Sequence, residues 1–179
     1  MSKLFKIFLI AFNTLALIYL VWPTPIVPDL INSTKSDLPG DTTQIKNVSG
    51  YFTNLSRDEV MNFYLKYYQG LFRIRLNHPP EKAREIIVDT IPSYYFEELT
   101  LPFKESLYIN GFEWEKDVFT KPEKRAANKI IYHNQEYQSK ITIRRFPTTI
   151  PNRLLSFFLT EIAVIFSLKT LFIFFRRHD

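Results

Sequence analysis

The run LLSFFLTEIAVIFSLKTLFIFF, from Leu154 to Phe175, is long and apolar enough to form a membrane-spanning helix. A helix crosses a bilayer with about 20 mostly apolar residues. Only two charged residues, Glu161 and Lys169, interrupt this run. The run therefore predicts a C-terminal transmembrane helix over 154–175, followed by a basic cytoplasmic tail over 176–179.

A second, shorter apolar run lies near the other end of the chain, from Ile7 to Trp22. Lys3 and Lys6 precede it, as in a secretory signal, but the small-residue cleavage pattern is missing. Bulky side chains stand where a cleavage site needs small ones. We therefore expect residues 1–22 to remain as a signal-anchor transmembrane helix, with a cleaved signal peptide as the alternative.

The cations that flank the two runs predict their orientation, because cytoplasmic flanks are enriched in Lys and Arg. Lys3 and Lys6 precede the first run, and the first cation after it is Lys35. Arg176 follows the second run, although Arg153 on its other side weakens that bias. We expect a two-pass protein of the cell membrane with both termini cytoplasmic and the central domain extracytoplasmic.

The chain between the two runs has the size of one domain and almost no net charge. Residues 23–153 carry 18 Lys and Arg against 16 Asp and Glu, which argues against nucleic acid as a partner. The sequence contains no cysteine, so disulfides, cysteine-ligated metals and thiol nucleophiles are excluded. No motif for a cofactor or a metal is found, and none is expected.

The composition divides this central part into a stalk and a domain. Prolines among Ser, Thr, Asn and Asp predict an extended, weakly ordered stalk over 23–45. The folded domain is expected over 46–147. A short connector, 148–153, then leads to the second transmembrane helix.

Helical signals dominate the first half of the domain. Ser56 and Glu59 have the spacing of a capping box, which predicts a helix that begins there and ends near Gly70. Pro79-Pro80 predicts the start of a second helix. A short third helix is expected over 93–99. The adjacent Glu97 and Glu98 would then be solvated surface charges.

Sequence patterns typical of strands lie before and after these predicted helices. Residues 46–53 predict a strand, and Asn110-Gly111 predicts a hairpin turn between 107–109 and 112–114. A further hairpin is expected around Asn134-Gln135. The predicted fold is therefore α+β, with two to three helices and an antiparallel sheet flanked by N- and C-terminal transmembrane helices.

Two blocks of the domain carry a resemblance to other proteins. The blocks are VSGYFTN, from Val48 to Asn54, and LPFKESLYINGFEW, from Leu101 to Trp114. They resemble segments of uncharacterised two-span membrane proteins of small-genome bacteria. The resemblance covers a minor part of the chain and implies no activity.

Polar residues inside the two spans are candidates for intramembrane contacts. A charge at the bilayer centre costs about 2.5–3.5 kcal/mol on insertion scales, so such residues usually face protein or water. Asn13, Glu161 and Lys169 could form a polar seam between the spans or against the helix of a partner. The alternative is that Glu161 and Lys169 extend to opposite membrane surfaces.

The domain lacks a recognisable catalytic motif, so we do not expect an enzyme. His78 and His133 have no partners at metal-ligand spacing and are expected in solvated turns. Aromatic side chains form a possible interaction surface, with core packing as the alternative. They are Tyr64, Tyr68, Phe112 and Trp114.

These patterns predict a membrane-anchored interaction or scaffold protein. Its partner would be another envelope membrane protein or a second copy of the chain. A small envelope hydrolase or glycan-binding module is the alternative. A third possibility is an accessory subunit of a membrane transport complex that uses Glu161.

Overall fold

The computed structural model describes residues 3–24, 26–39, 46–68, 74–78, 95–101, 103–117 and 119–176, with only the backbone given for 74, 76–78, 95 and 96. The chain forms two compact units. One unit combines Met1–Thr24 with Thr148–Asp179, and the other is Pro25–Pro147.

The first unit contains two apolar helices, α1 (Lys3–Val21) and α3 (Ile150–Arg176), each long and apolar enough to cross a membrane. Helix α3 begins inside the segment expected to be a connector over 148–153. The hydroxyl of Thr149 accepts the backbone N–H of Asn152 at 3.4 Å, as an N-terminal cap does. Pro151 lies in the first turn, where its missing N–H costs nothing.

The second unit is built on a six-stranded sheet in which every neighbouring pair is antiparallel. Its order is β1-β2-β8-β5-β4-β3. The strands in chain order are β1 (Ser33–Lys35), β2 (Val48–Thr53), β3 (Ile74–His78), β4 (Tyr95–Thr100), β5 (Ser106–Glu113) and β8 (Ser139–Phe146). A separate hairpin pairs β6 (Ile130–Tyr132) with β7 (Gln135–Tyr137).

In the described part of this unit, helical structure comprises α2 (Arg57–Tyr67) and two 3₁₀ helices, Trp114–Lys116 and Pro122–Asn128. The predicted α+β class, with an antiparallel sheet and flanking apolar helices, is confirmed. The helix predicted to begin at Pro79-Pro80 falls at 79–94, outside the described residues.

Helix α2 begins with the predicted capping box. The Ser56 hydroxyl accepts the Glu59 backbone N–H, and the Glu59 carboxylate accepts the Ser56 backbone N–H at 2.8 Å. Apolar side chains of the helix then share one core with β4, β5 and β8. The core members are Val60, Met61, Phe63, Tyr64 and Tyr68 with Leu99, Leu107, Ile109, Ile141 and Ile143.

Two local predictions in the sheet are wrong for the same physical reason. Residues 95–100 form β4 rather than the end of a short helix, because β3 and β5 pair with them on both sides. Asn110-Gly111 forms no turn and lies within β5, paired with both β4 and β8. Hydrogen bonds to two neighbouring strands outweigh the local preference of either segment.

The segment predicted to be a weakly ordered stalk is partly folded onto the domain. Residues 26–37, here called the N-terminal strap, include the edge strand β1 and the buried Leu30. The Tyr51 hydroxyl donates to Asp29 at 2.6 Å, and the Ser36 N–H donates to the Gly50 carbonyl at 2.8 Å. The compact unit therefore begins near residue 25 instead of 46.

The second predicted hairpin is present, but its turn lies one residue earlier than expected. His133 and Asn134 both have positive φ, 48° and 62°, as a type I′ turn requires. The strand after the turn ends at Tyr137, and β8 begins separately at Ser139. His78 closes strand β3 rather than lying in a loop.

Candidate functional site

A cluster of buried charges lies where α2 meets the sheet. Glu97 on β4 has a fully buried side chain, and its Oε1 accepts hydrogen bonds from Arg57 on α2 and from Arg75 on β3, the latter at 2.5 Å. Both guanidinium groups are partly exposed. Two cations therefore compensate one buried carboxylate, and the cluster connects three elements.

Glu113, at the end of β5, extends this cluster to the helix terminus. Its buried carboxylate accepts the Arg57 backbone N–H at 3.0 Å and lies 2.8 Å from the Lys116 ammonium. The first amides of a helix lack partners within the helix and carry partial positive charge, so a carboxylate is stabilising there. Glu113 thereby fixes the first turn of α2 on the sheet.

The sequence-based placement of Glu97 as a solvated charge was wrong. In a strand, successive side chains point to opposite faces. Glu97 therefore faces the core beside Leu99, whereas Glu98 is only half-buried. Because Glu97 and Glu113 are both engaged by cations, their chemistry is that of structural ion pairs.

A cavity of about 190 Å³ lies in the same unit, between the N-terminal strap and the core face of the sheet. Polar groups from the strap, β2 and the residue before it, β8 and α2 line it. They are Asp29, Asn47, Ser49, Tyr51, Tyr64 and Arg145. Sequence reasoning missed this site because the strap was taken for a stalk.

The charges at the cavity are held in defined positions. Arg145 donates from Nε and Nη2 to one oxygen of Glu105, at 3.1 and 2.9 Å, and the Glu105 side chain is fully buried. Asp29 accepts hydrogen bonds from the Tyr51 hydroxyl and the Lys35 ammonium. These bonds hold the pKa of its carboxyl below the ordinary value. Burial, and then the bond to Asp29, raises the pKa of Tyr51.

The two apolar helices are joined by the buried side chain of Arg153. Its Nη1 donates to the Leu20 carbonyl at 3.2 Å, near the end of α1. Its Nε and Nη2 donate to the hydroxyl and the carbonyl of Thr148, each at 3.0 Å. The carbonyls at a helix C-terminus lack partners within the helix. The guanidinium satisfies one of them and links it to the start of α3.

The four aromatic residues expected at an interaction surface are in two environments. Tyr64 and Tyr68 are 1% and 0% exposed and belong to the hydrophobic core. Phe112 and Trp114 are half-buried, and the Lys129 ammonium lies 5.3 Å from the centroid of the Trp114 ring. Only Phe112 and Trp114 are therefore placed where a partner could reach them.

The polar residues of the spans are not brought together in the structure. The Asn13 amide donates to the Leu9 carbonyl of its own helix at 3.1 Å. Glu161 is half-buried and Lys169 is exposed on α3. Arg153, Phe157 and Glu161 follow one another at four-residue spacing, so they share one face of that helix. The first two are buried, and Glu161 continues their row.

The side chain of His133 is 66% exposed, in agreement with a solvated turn residue. It stacks on the Tyr132 ring at 4.0 Å between centroids and lies 3.8 Å from the Asp37 carboxylate. Within the described ranges, no group of three or more His, Cys, Asp or Glu side chains could hold a metal ion.

Comparison of the chain with protein-family models, with curated proteins and with solved structures finds no match.

Substitution of Glu97 should destabilise the domain much more than substitution of its neighbour Glu98. Glu97→Gln leaves Arg57 and Arg75 without their counter-charge and should lower the free energy of unfolding by about 3 kcal/mol. Glu98→Gln should change it by less than about 0.5 kcal/mol. Urea unfolding of the full-length protein in detergent, followed by tryptophan fluorescence, measures both. Equal losses would show that Glu97 is solvated.

Arg153→Ala should weaken the association of α1 with α3 by about 2 kcal/mol, because hydrogen bonds to a charged donor contribute about 1.5–3 kcal/mol. Arg153→Lys should recover only part, since an ammonium lacks the planar fork. The measurement is the SDS fraction at which Trp22 fluorescence changes in mixed micelles, with Trp114→Phe in every variant so that Trp22 is the only emitting tryptophan. Asn152→Ala, an exposed neighbour, is the control. Identical midpoints for the Arg153 and Asn152 variants would contradict this role.

Proposed function

We propose that this chain is a two-pass, membrane-anchored interaction protein of the cell envelope that holds an α+β domain outside the cytoplasm. One observation carries the proposal. The compact domain of residues 25–147 lies in sequence between two apolar helices, and Arg153 joins those helices at the ends nearest to the domain in sequence. This arrangement suits a protein that presents a domain at a membrane surface.

The orientation follows from the flanking charges. Lys3 and Lys6 lie at the start of α1, and Arg176 ends α3. The cytoplasmic side of a span is enriched in Lys and Arg, so both termini are assigned to the cytoplasm. Arg153 is consistent with this assignment, because it is buried and its hydrogen bonds serve the contact between the helices.

The described geometry favours binding over catalysis. The buried carboxylates Glu97, Glu105 and Glu113 each face a basic side chain, which is the arrangement of structural ion pairs. Phe112 and Trp114 are half-buried at the end of β5. Protein interfaces are enriched in aromatic residues and Arg. We assign the contact with a partner to this part of the domain.

Within the membrane, Glu161 supports a polar seam rather than extension to the membrane surface. It continues the row of buried side chains at Arg153 and Phe157 and is itself half-buried. A carboxyl group in a span is stabilised by polar contacts with another helix. The seam would contact either α1, which carries Asn13, or the span of a partner. Lys169 is exposed on α3 and can extend toward the cytoplasmic surface.

The orientation is tested with single cysteines, because the chain contains none. A membrane-impermeant maleimide applied to intact cells should label a cysteine at Lys121, which is exposed in the domain. It should label a cysteine at Ser2 only after the cells are broken. Labelling of Ser2→Cys in intact cells would overturn the proposed orientation.

The interaction itself is tested with a photoreactive amino acid in intact membranes. At Phe112 or Trp114 we expect one recurrent crosslinked membrane protein, identified by mass spectrometry, or a dimer of this chain. The same amino acid at Tyr64 is the matched control, because this aromatic side chain is buried. Absence of any crosslink at Phe112 and Trp114, or an equal yield at Tyr64, would contradict the proposed surface.

A further inference from the structure

We infer that the cavity beneath the N-terminal strap is a binding site for a small zwitterion with the size and charges of a free α-amino acid. This inference goes beyond the proposed interaction function and does not depend on the orientation in the membrane. It rests on the charges, the volume and the apolar wall of the cavity.

The cavity offers one charged group for each pole of such a ligand. The Asp29 carboxylate, on the strap, can accept hydrogen bonds from an ammonium group. The Arg145 guanidinium, on β8, can donate to a carboxylate. Because Nε and Nη2 of Arg145 are both used on Glu105, its Nη1 is the nitrogen left to donate to a ligand. The two groups therefore define a recognition site with an anionic and a cationic side.

The charges at the cavity balance one another, which favours a ligand without net charge. Arg145 is paired with the buried Glu105, and Asp29 is paired with Lys35 at 3.0 Å. A ligand with a single charge would match only one of the two charged side chains, Asp29 and Arg145, that line the cavity. A zwitterion preserves the balance and places each of its charges beside the opposite one.

The remaining lining fits the rest of an amino acid. The Tyr51 hydroxyl already donates to Asp29 and holds that carboxylate in place at the cavity. Val27, Leu107 and Ile143 form an apolar wall against which a side chain can pack. A cavity of about 190 Å³ holds roughly six waters at about 30 Å³ each. That volume suits a ligand of the size of serine or leucine.

The test uses the full-length protein in detergent and measures its thermal unfolding midpoint with glycine, L-serine and L-leucine, each at about 10 mM, because a ligand of the native state raises the midpoint. We expect at least one of the three to raise it. The methyl ester and the N-acetyl derivative of the amino acid that raises it most each lack one charge. They should bind at least about tenfold more weakly than that amino acid, a difference of about 1.4 kcal/mol.

Asp37 provides a matched control for Asp29. Asp29 and Asp37 both have side chains that are 67% exposed, and each accepts a hydrogen bond from a tyrosine hydroxyl. Only Asp29 lines the cavity. Asp29→Asn should weaken amino-acid binding at least about tenfold, and Asp37→Asn should leave it unchanged.

Arg145→Lys tests the other pole of the site and keeps a positive charge beside the buried Glu105, so the variant should fold. Arg145→Lys should weaken binding of the amino acid, and combining it with Asp29→Asn should weaken that binding further. The inference is overturned if none of the three amino acids raises the midpoint. It is also overturned if the ester and the N-acetyl derivative of the amino acid that raises the midpoint bind as tightly as that amino acid, or if Asp29→Asn binds like Asp37→Asn.

Discussion

The domain depends on the compensation of one buried carboxylate. Removing Glu97 from water is costly, and only close cations and hydrogen bonds offset that cost. Arg57 supplies one cation from helix α2, and Arg75 supplies another from strand β3. Glu113 also accepts a hydrogen bond from the first amide of α2. The start of the helix is therefore fixed at one place on the sheet. Its apolar side chains then meet β4, β5 and β8 in a single core.

The same requirement for satisfied polar groups applies to the apolar helices. Hydrocarbon offers no partners to backbone carbonyls, and the last carbonyls of a helix have none within the helix. Arg153 satisfies the Leu20 carbonyl and holds Thr148 at the same time. A buried arginine beside an apolar span therefore has a structural role that accounts for its position. This role also explains why a cation, Arg153, lies on the side of α3 where the predicted orientation favours few cations.

The N-terminal strap forms one side of the cavity to which a ligand is assigned. It adds an edge strand to the sheet, buries Leu30, and brings Asp29 to a cavity that β2 and β8 also line. The aromatic residues at the end of β5 are assigned to a partner, and the cavity is assigned to a small zwitterion. The proposed partner contact and the proposed ligand site share no residue, so either can be present without the other.

Features with a local physical cause could be predicted from the sequence. The two apolar runs predicted two helices long and apolar enough to cross a membrane, and the Ser56–Glu59 capping box predicted the start of α2. The change from helical to strand patterns along the domain determined the α+β class. The hairpin near His133 was also foreseen to within one residue, because positive φ in a tight turn has a local cause.

The candidate sites depend on contacts between distant parts of the chain, which the sequence did not predict. Asn110-Gly111 is a strong turn signal, yet it lies within a strand because β4 and β8 pair with it from both sides. Glu97 is buried because distant arginines compensate its charge. The strap lies against the domain because β1 pairs with β2 and the Tyr51 hydroxyl donates to Asp29. Contacts between residues far apart in the chain carry these features, and no local pattern of the sequence records them.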